Sequence, residues 1–213
     1  MNIARIVIAD DHPYTRLGLS QILKHEFPSA FIKEVADGAA LVKEVTLHDW
    51  DLVISDLDMP GRSGLEALEQ IKLIKPDIPV LILSIYPEDL YAVRVLKSGA
   101  AGYLTKSSAP DELMNAIKRI SLGKKYVSAE IAEKLIDLKE KKSAHELLTN
   151  REFEIFKLLA LGKSTGDISQ MLSLAPSTIS THRNNILEKL QLNTTSDLTR
   201  YALSQHIISD IDF

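Results

Sequence analysis

An alternation of two kinds of segment narrows the fold of this chain more than any other feature. Five apolar runs of strand length occur in its first half: Ile3 to Ala9, Phe31 to Val35, Leu52 to Ser55, Val80 to Ser84 and Ala100 to Leu104. Between them lie longer segments with helical spacing, such as Leu17, Ile22 and Leu23 after the first run and Leu65, Leu68, Ile71 and Ile74 after the third. Antiparallel neighbours can be joined by a short hairpin, whereas strands separated by helices need crossover connections. The first half is therefore expected to be an α/β unit, a five-stranded parallel sheet covered by helices on both faces. Its last helix is expected over Asp111 to Leu122, ending near Gly123.

The second half reads differently. No strand signal follows residue 130, and Thr149 with Glu152 makes a capping box at the start of a helix whose apolar side carries Ile155, Leu158, Leu159 and Leu161. Gly162 is placed to end that helix. Three more short helices follow, about Thr165 to Leu172, Ser177 to Leu190 and Ser196 to Ile207, and Pro176 suits the start of the second of these. Between the halves, Ile131, Leu135 and Leu138 are set beside the charged run Lys139, Glu140, Lys141, Lys142, which reads as a partly helical, solvated linker. The expected division is 1–122, a linker over 123–145, and an all-α four-helix unit over 146–213.

Composition limits the chemistry. Zero cysteines exclude a disulfide scaffold, a cysteine nucleophile and any thiolate metal site. Apolar stretches such as Ile78 to Leu83 are too short to span a bilayer, and Asp10 and Asp11 interrupt the N-terminal run before a signal-peptide core could form. A soluble cytoplasmic protein without a membrane partner is expected. The balance of 25 Lys+Arg against 29 Asp+Glu, a net −4, would by itself argue against a nucleic-acid partner.

In a doubly wound sheet, ligands bind beyond the carboxyl ends of the strands where the strand order reverses. Asp10 and Asp11 fall just past the first run and Asp56 just past the third. With the order 2-1-3-4-5 those strands are neighbours, and three carboxylates converge. Such a cluster repels itself unless a cation offsets it. Mg2+ suits one or two carboxylates, a backbone carbonyl such as that of Asp58, and a phosphoryl oxygen. Ser84 and Lys106, at the ends of the fourth and fifth strands, could hold the remaining phosphoryl oxygens. Asp51 sits at the opposite end of its strand and is read as structural.

The Asp10-Asp11 pair, the run Asp56-Leu57-Asp58-Met59-Pro60-Gly61 followed by Gly64, Ser84, and Gly102-Tyr103-Leu104-Thr105-Lys106 together resemble a response-regulator receiver domain of flavodoxin-like fold. The resemblance implies that Asp56 accepts a phosphoryl group from a sensor histidine kinase while Asp10 and Asp11, with Asp56 and Asp58, hold Mg2+. It implies that Lys106 neutralises developing charge, and that Ser84 swings toward the acyl phosphate as Tyr103 rotates into the vacated space. Receivers usually carry a small residue where this chain has Ile85; its bulk, with Tyr86 beside it, is expected to shape access to Asp56.

On a helical wheel for Ser177 to Leu190, Ile179, Ile186, Leu187 and Leu190 fall on one side. Ser177, Thr181, Asn184 and Glu188 fall opposite, with Ser180 and Asn185 on the flanks. Small hydroxyls and amides let a helix approach base edges. The segments Leu148-Thr149-Asn150-Arg151-Glu152, Leu158 to Ser164, Ile168, and Thr178-Ile179-Ser180-Thr181-His182 with Ile186 and Lys189-Leu190 resemble the LuxR-type helix-turn-helix. The whole chain thus resembles a NarL/FixJ-type response regulator. That resemblance implies a regulator rather than an enzyme, one that binds double-stranded DNA as a homodimer. Ser180, Thr181 and Asn184 would face bases, with Ser177 a further DNA-binding residue on the same polar side; Thr178, His182 and Lys189 would lie near the DNA backbone or brace the helix, and Arg183 would extend toward a phosphate.

Two departures keep alternatives open. Family members carry lysines where this chain has Ser177, Ser180 and Asn184, and residues 144–213 hold six Lys+Arg against eight Asp+Glu. A net −2 offers little sequence-independent attraction to DNA, so binding is expected to lean on pairing of two copies. Leu198, Ala202, Leu203 and Ile207 of the last helix are a candidate dimer surface, which burial within the domain would explain equally well. With Ile85, the weak basicity leaves room for a phosphate-independent regulator with a vestigial receiver. Asp56-Leu57-Asp58 also resembles the nucleophile motif of haloacid-dehalogenase-type phosphatases, which need a downstream acidic pair and a cap that this chain lacks.

Overall fold

The computed structural model describes residues 3–86, 88–108, 110–128, 131–132, 143–205 and 207–208. It divides into two compact units, Met1–Asp137 and Leu138–Phe213. Leu135, Leu138 and the charged run of the expected linker lie outside the described residues.

The first unit runs β1 (Arg5–Ala9), α1 (Pro13–Glu26), β2 (Phe31–Val35), α2 (Gly38–Leu47), β3 (Leu52–Asp56), α3 (Gly64–Ile74), β4 (Val80–Ser84), α4 (Glu88–Lys97), β5 (Gly102–Thr105) and α5 (Pro110–Ser121). The sheet is parallel throughout with the order β2-β1-β3-β4-β5. The alternation in the sequence therefore builds the expected fold, with boundaries shifted by a residue or two. β3 and β4 are buried at every position, which is why they read as unbroken apolar runs. On one face Ile6, Ile8, Leu52, Ile54, Leu81 and Leu104 pack against Leu23 of α1 and against Leu113, Ile117 and Ile120 of α5. Each such side chain contributes about 1.5–3 kcal/mol on burial.

Register fixes the site. Ala9 pairs with Ser55 and Asp56 with Leu83, so Asp10, one step past β1, stands beside Asp56. The loop after β3 folds back tightly: Gly64 N–H donates to Leu57 O at 2.8 Å. A Cβ at position 64 would lie 1.8 Å from Asp56 O, so only glycine lets α3 start there.

The described part of the second unit has a 3-10 turn (Ala144–Leu147) followed by α6 (Asn150–Ala160), α7 (Thr165–Leu172), α8 (Pro176–Leu190) and α9 (Thr195–Ser204). Capping boxes start α6, α7 and α9: Thr149 with Glu152, Ser164 with Asp167 and Thr194 with Asp197. Gly162, at φ +75°, turns the chain out of α6. The core of α6 is more aromatic than its leucine spacing suggested, because Phe153 and Phe156 are fully enclosed while Leu158 and Leu161 are half-buried. The last helix ends at Ser204, short of the expected Ile207, and its expected dimer face is largely consumed inside the unit: Leu198 and Ala202 of α9 and Ile207 beyond it are all buried.

Candidate functional site

Two constellations stand out, one in each unit. At the carboxyl edge of the sheet, Asp10 and Asp56 are buried at the ends of neighbouring strands, and Lys106 reaches both from just past β5. Its Nζ lies 2.6 Å from Asp56 Oδ2 and 2.8 Å from Asp10 Oδ2. The Lys106 N–H donates to Ser84 O at 2.7 Å, which anchors the lysine to the end of β4.

Electrostatics follow from this burial. Loss of solvent raises the Asp56 carboxyl to about 6, aided by the Asp10 charge and opposed by Lys106. Burial also works against the charge on Lys106, but the two carboxylates of Asp10 and Asp56 beside it outweigh that and hold its pKa above the usual lysine value.

Ligand atoms of Asp10, Asp11, His12 and Asp56 all lie within 4.8 Å of one another. Asp10 Oδ2 and Asp11 Oδ1 are enclosed without a well-directed hydrogen bond, although Lys106 and His12 lie near them. Hard carboxylate oxygens with unfilled lone pairs fit a divalent cation such as Mg2+. Asp58, expected to offer a metal its backbone carbonyl, keeps its carboxylate outside this group. Its Oδ2 accepts from Tyr86 OH at 2.5 Å, and its N–H donates to Asp56 Oδ1 at 3.4 Å, so the side chain is turned toward the β4–α4 loop.

Ser84 and Tyr103 are both buried and share a partner. Ser84 Oγ accepts from Tyr86 N–H at 3.1 Å, and Tyr103 OH donates to Tyr86 O at 2.8 Å. Burial raises the Tyr103 phenol above its usual range. Ile85 is 70% exposed; the ring that bridges toward the Asp58 loop is that of Tyr86, stacked on Tyr91 at 4.9 Å. Asp51 does what its position suggested, accepting from Ala4 and Arg5 N–H at the far end of the sheet.

Two residues near the pocket escaped sequence reasoning. His12 places Nδ1 2.7 Å from Asp11 Oδ1 and donates its backbone N–H to Asp10 Oδ1 at 2.8 Å. Arg16 donates to Asp10 O through its guanidinium. Their signal was adjacency: His12 directly follows the acidic pair, and Arg16 lies one helical turn further on.

In the second unit, Ser177, Ser180, Thr181, Asn184, Asn185 and Glu188 are exposed along α8, as the wheel expected, and Ile179, Ile186, Leu187 and Leu190 are buried. The other expected contacts are half-buried. Arg183 Nε donates to Thr195 Oγ1 at 3.1 Å, and Lys189 Nζ donates to Glu152 Oε2 at 2.6 Å. Thr178 and His182 flank the packed side, with His182 Nδ1 enclosed. α7 and α8 are joined by a turn through Ser173, which is left-handed at φ 52°. Among the described residues no helix is long and apolar enough to cross a membrane.

Comparison with known proteins finds a family for each unit. The response regulator receiver domain profile matches residues 6–118, and the profile of bacterial regulatory proteins of the luxR family matches 146–202. Oxygen regulatory protein NreC of Staphylococcus epidermidis is 34% identical over 96% of this chain and 99% of its own. Response regulator UvrY of Escherichia coli is 30% identical over 93% of each chain. RcsB from Salmonella enterica serovar Typhimurium, solved bound to promoter P1flhDC with the phosphomimetic BeF3−, is similar at a TM-score of 0.59 and 25% identity, covering 96% of this chain and 100% of that one. The chain belongs to the response regulators that join a receiver domain to a LuxR-type DNA-binding domain.

Proposed function

We propose that this response regulator is a phosphorylation-controlled transcription factor of the cytoplasm in which Asp56 is the phosphoacceptor. One arrangement carries the reading: a single ammonium, Lys106 Nζ, sits 2.6 Å from Asp56 and 2.8 Å from Asp10 at the carboxyl edge of the sheet. An Asp56 oxygen attacks the phosphorus of a kinase phosphohistidine. The new P–O bond forms as the P–N bond breaks, and the imidazole nitrogen leaves with the electron pair. Lys106 is already placed to offset charge on the phosphoryl oxygens. Asp10, Asp11 and Asp56, with the backbone carbonyl of Asp58, would hold Mg2+, which supplies charge neutralisation at those same oxygens.

Ser84 and Tyr103 are the switch pair. Both bond to the backbone of Tyr86, so a shift of Ser84 toward the acyl phosphate releases Tyr86 N–H and alters the loop that Tyr103 holds. The domain limits that fit this scheme are 1–122, a linker over 123–145, and 146–213. In the last, α8 enters the major groove with Ser177, Ser180, Thr181 and Asn184 toward the bases. Thr178 and His182 brace it, Arg183 reaches toward phosphate, and Lys189 holds α8 to α6. Phosphorylation favours a homodimer, which doubles a weak contact surface; the likeness to RcsB, solved bound to promoter P1flhDC, supports DNA as the partner. The chain catalyses nothing beyond its own phosphorylation and dephosphorylation.

Incubation with acetyl phosphate and Mg2+ followed by intact-mass analysis tests the acceptor. The native chain is expected to gain one phosphoryl group and Asp56→Asn none; labelling of that variant sinks the assignment. Equal DNA affinity with and without the donor would instead mark a phosphate-independent regulator.

A further inference from the structure

The exposed line on α8 has a distinctive hydrogen-bonding character. Ser177, Thr181, Asn184 and Glu188 follow one another at helical spacing, with Ser180 and Asn185 exposed beside them. No cation stands on this line. Arg183 is tethered to Thr195, and Lys189 is paired with Glu152 on the packed side.

The hydroxyl protons of Ser180 and Thr181 are also spoken for. Ser180 Oγ donates to Pro176 O at 3.0 Å and Thr181 Oγ1 donates to Ser177 O at 3.1 Å, each one turn back along the helix. Their lone pairs alone face outward. Ionised Glu188 is likewise an acceptor only. Asn184 offers both an acceptor and donors, and makes no side-chain hydrogen bond to another described residue.

Base edges in the major groove sort against this surface. Guanine shows two acceptors, N7 and O6, and is read most often by Arg or Lys. Adenine pairs an N7 acceptor with an N6 amino donor, and cytosine shows an N4 amino donor. A guanine edge opposite Ser180, Thr181 or Glu188 would set acceptor against acceptor.

We propose that α8 reads exocyclic amino groups: Asn184 takes adenine bidentately at N6 and N7, and Ser180, Thr181 and Glu188 accept from adenine or cytosine amino groups at neighbouring positions. Guanine N7 and O6 make no contribution to its specificity. This rests on the reading of α8 as the DNA-contacting helix.

The test uses the full chain with acetyl phosphate and Mg2+ to select duplexes from a randomised pool. The selected duplex is then rebuilt with 7-deazaadenine or 7-deazaguanine, which remove only the N7 acceptor. Expected results are a loss of roughly tenfold in affinity for 7-deazaadenine at one position in each half-site, and a change under about twofold for 7-deazaguanine throughout. Asn184→Arg, a change at an exposed position, is expected to reselect guanine at that adenine position. Sensitivity to 7-deazaguanine with indifference to 7-deazaadenine overturns the base assignment, while leaving α8 as the DNA-contacting helix if Ser180→Ala with Asn184→Ala still abolishes selection. Unaltered selection by that double variant, or no enrichment by the native chain, overturns the DNA reading of α8 and this inference with it.

Discussion

Lys189 Nζ on α8 lies 2.6 Å from Glu152 Oε2 on α6, and Glu152 in turn accepts the Thr149 N–H at 2.8 Å. One carboxylate thus closes the capping box of α6 and pins α8 against it. Of the two roles the family resemblance left to this lysine, near the DNA backbone or bracing the helix, the pairing fits the second, and the exposed side of α8 gains no charge from it.

Lys189→Ala is therefore expected to act on stability more than on DNA electrostatics. Leaving Glu152 buried without its counter-ion should cost about 1–3 kcal/mol in urea unfolding of the second unit. The slope of log affinity against log salt should stay within error of the native value, whereas removal of a true phosphate contact lowers it by about 0.9. A slope reduced by that amount would show that Lys189 leaves Glu152 for the DNA.

The same pair sets a pH dependence. Burial disfavours the charge on Glu152, but the bonds from Lys189 and Thr149 outweigh it and hold the carboxyl below the usual glutamate range. A lowered folded-state pKa contributes stability that is fully present above the unfolded value of about 4.3 and is lost as pH falls through the lower folded value. Glu152→Gln should be less stable than the native chain at about pH 6, with the gap closing toward about pH 3. Denaturant titrations followed by NMR signals of Phe153 and Phe156 provide the check; a gap that widens on acidification would reverse the sign.

In the pocket, Lys106 is the counter-ion to two buried carboxylates. Lys106→Met should lower stability by about 3 kcal/mol in the absence of divalent cation, through repulsion between Asp10 and Asp56. Added Mg2+ should recover part of that loss, because a ligand bound only by the folded state stabilises it by mass action. Thermal melts with and without Mg2+ measure both effects. Equal melting temperatures for variant and native chain would mean that the lysine does not compensate the pocket.

Gly64 is the steric hinge of the loop that follows Asp56. A Cβ there would meet Asp56 O at 1.8 Å, so Gly64→Ala must push α3 away from the end of β3. The expected cost is about 3 kcal/mol or more, at the upper end of overpacking effects, together with slower labelling of Asp56 by acetyl phosphate. Native-like unfolding and labelling would show that the loop relaxes without penalty.

Much of this molecule was written locally. The unbroken apolar runs of β3 and β4, the capping boxes at Thr149, Ser164 and Thr194, and the polar line from Ser177 to Glu188 are patterns within windows of a few residues, where backbone period and side-chain chemistry act directly. Those patterns determined the two fold classes, the sheet order through the family resemblance, and the side of α8 that faces solvent. Tertiary structure decided which charged groups meet. Lys106 is separated from Asp56 by 50 residues and Lys189 from Glu152 by 37, and only sheet register and helix packing bring each pair within 2.6 Å. Packing likewise turned the Asp58 carboxylate to Tyr86, brought His12 and Arg16 to the acidic pair, and enclosed the apolar side of α9. A local pattern specifies what a side chain is able to do; the neighbours that occupy its lone pairs and protons are set by contacts distant in sequence, and these no short window encodes.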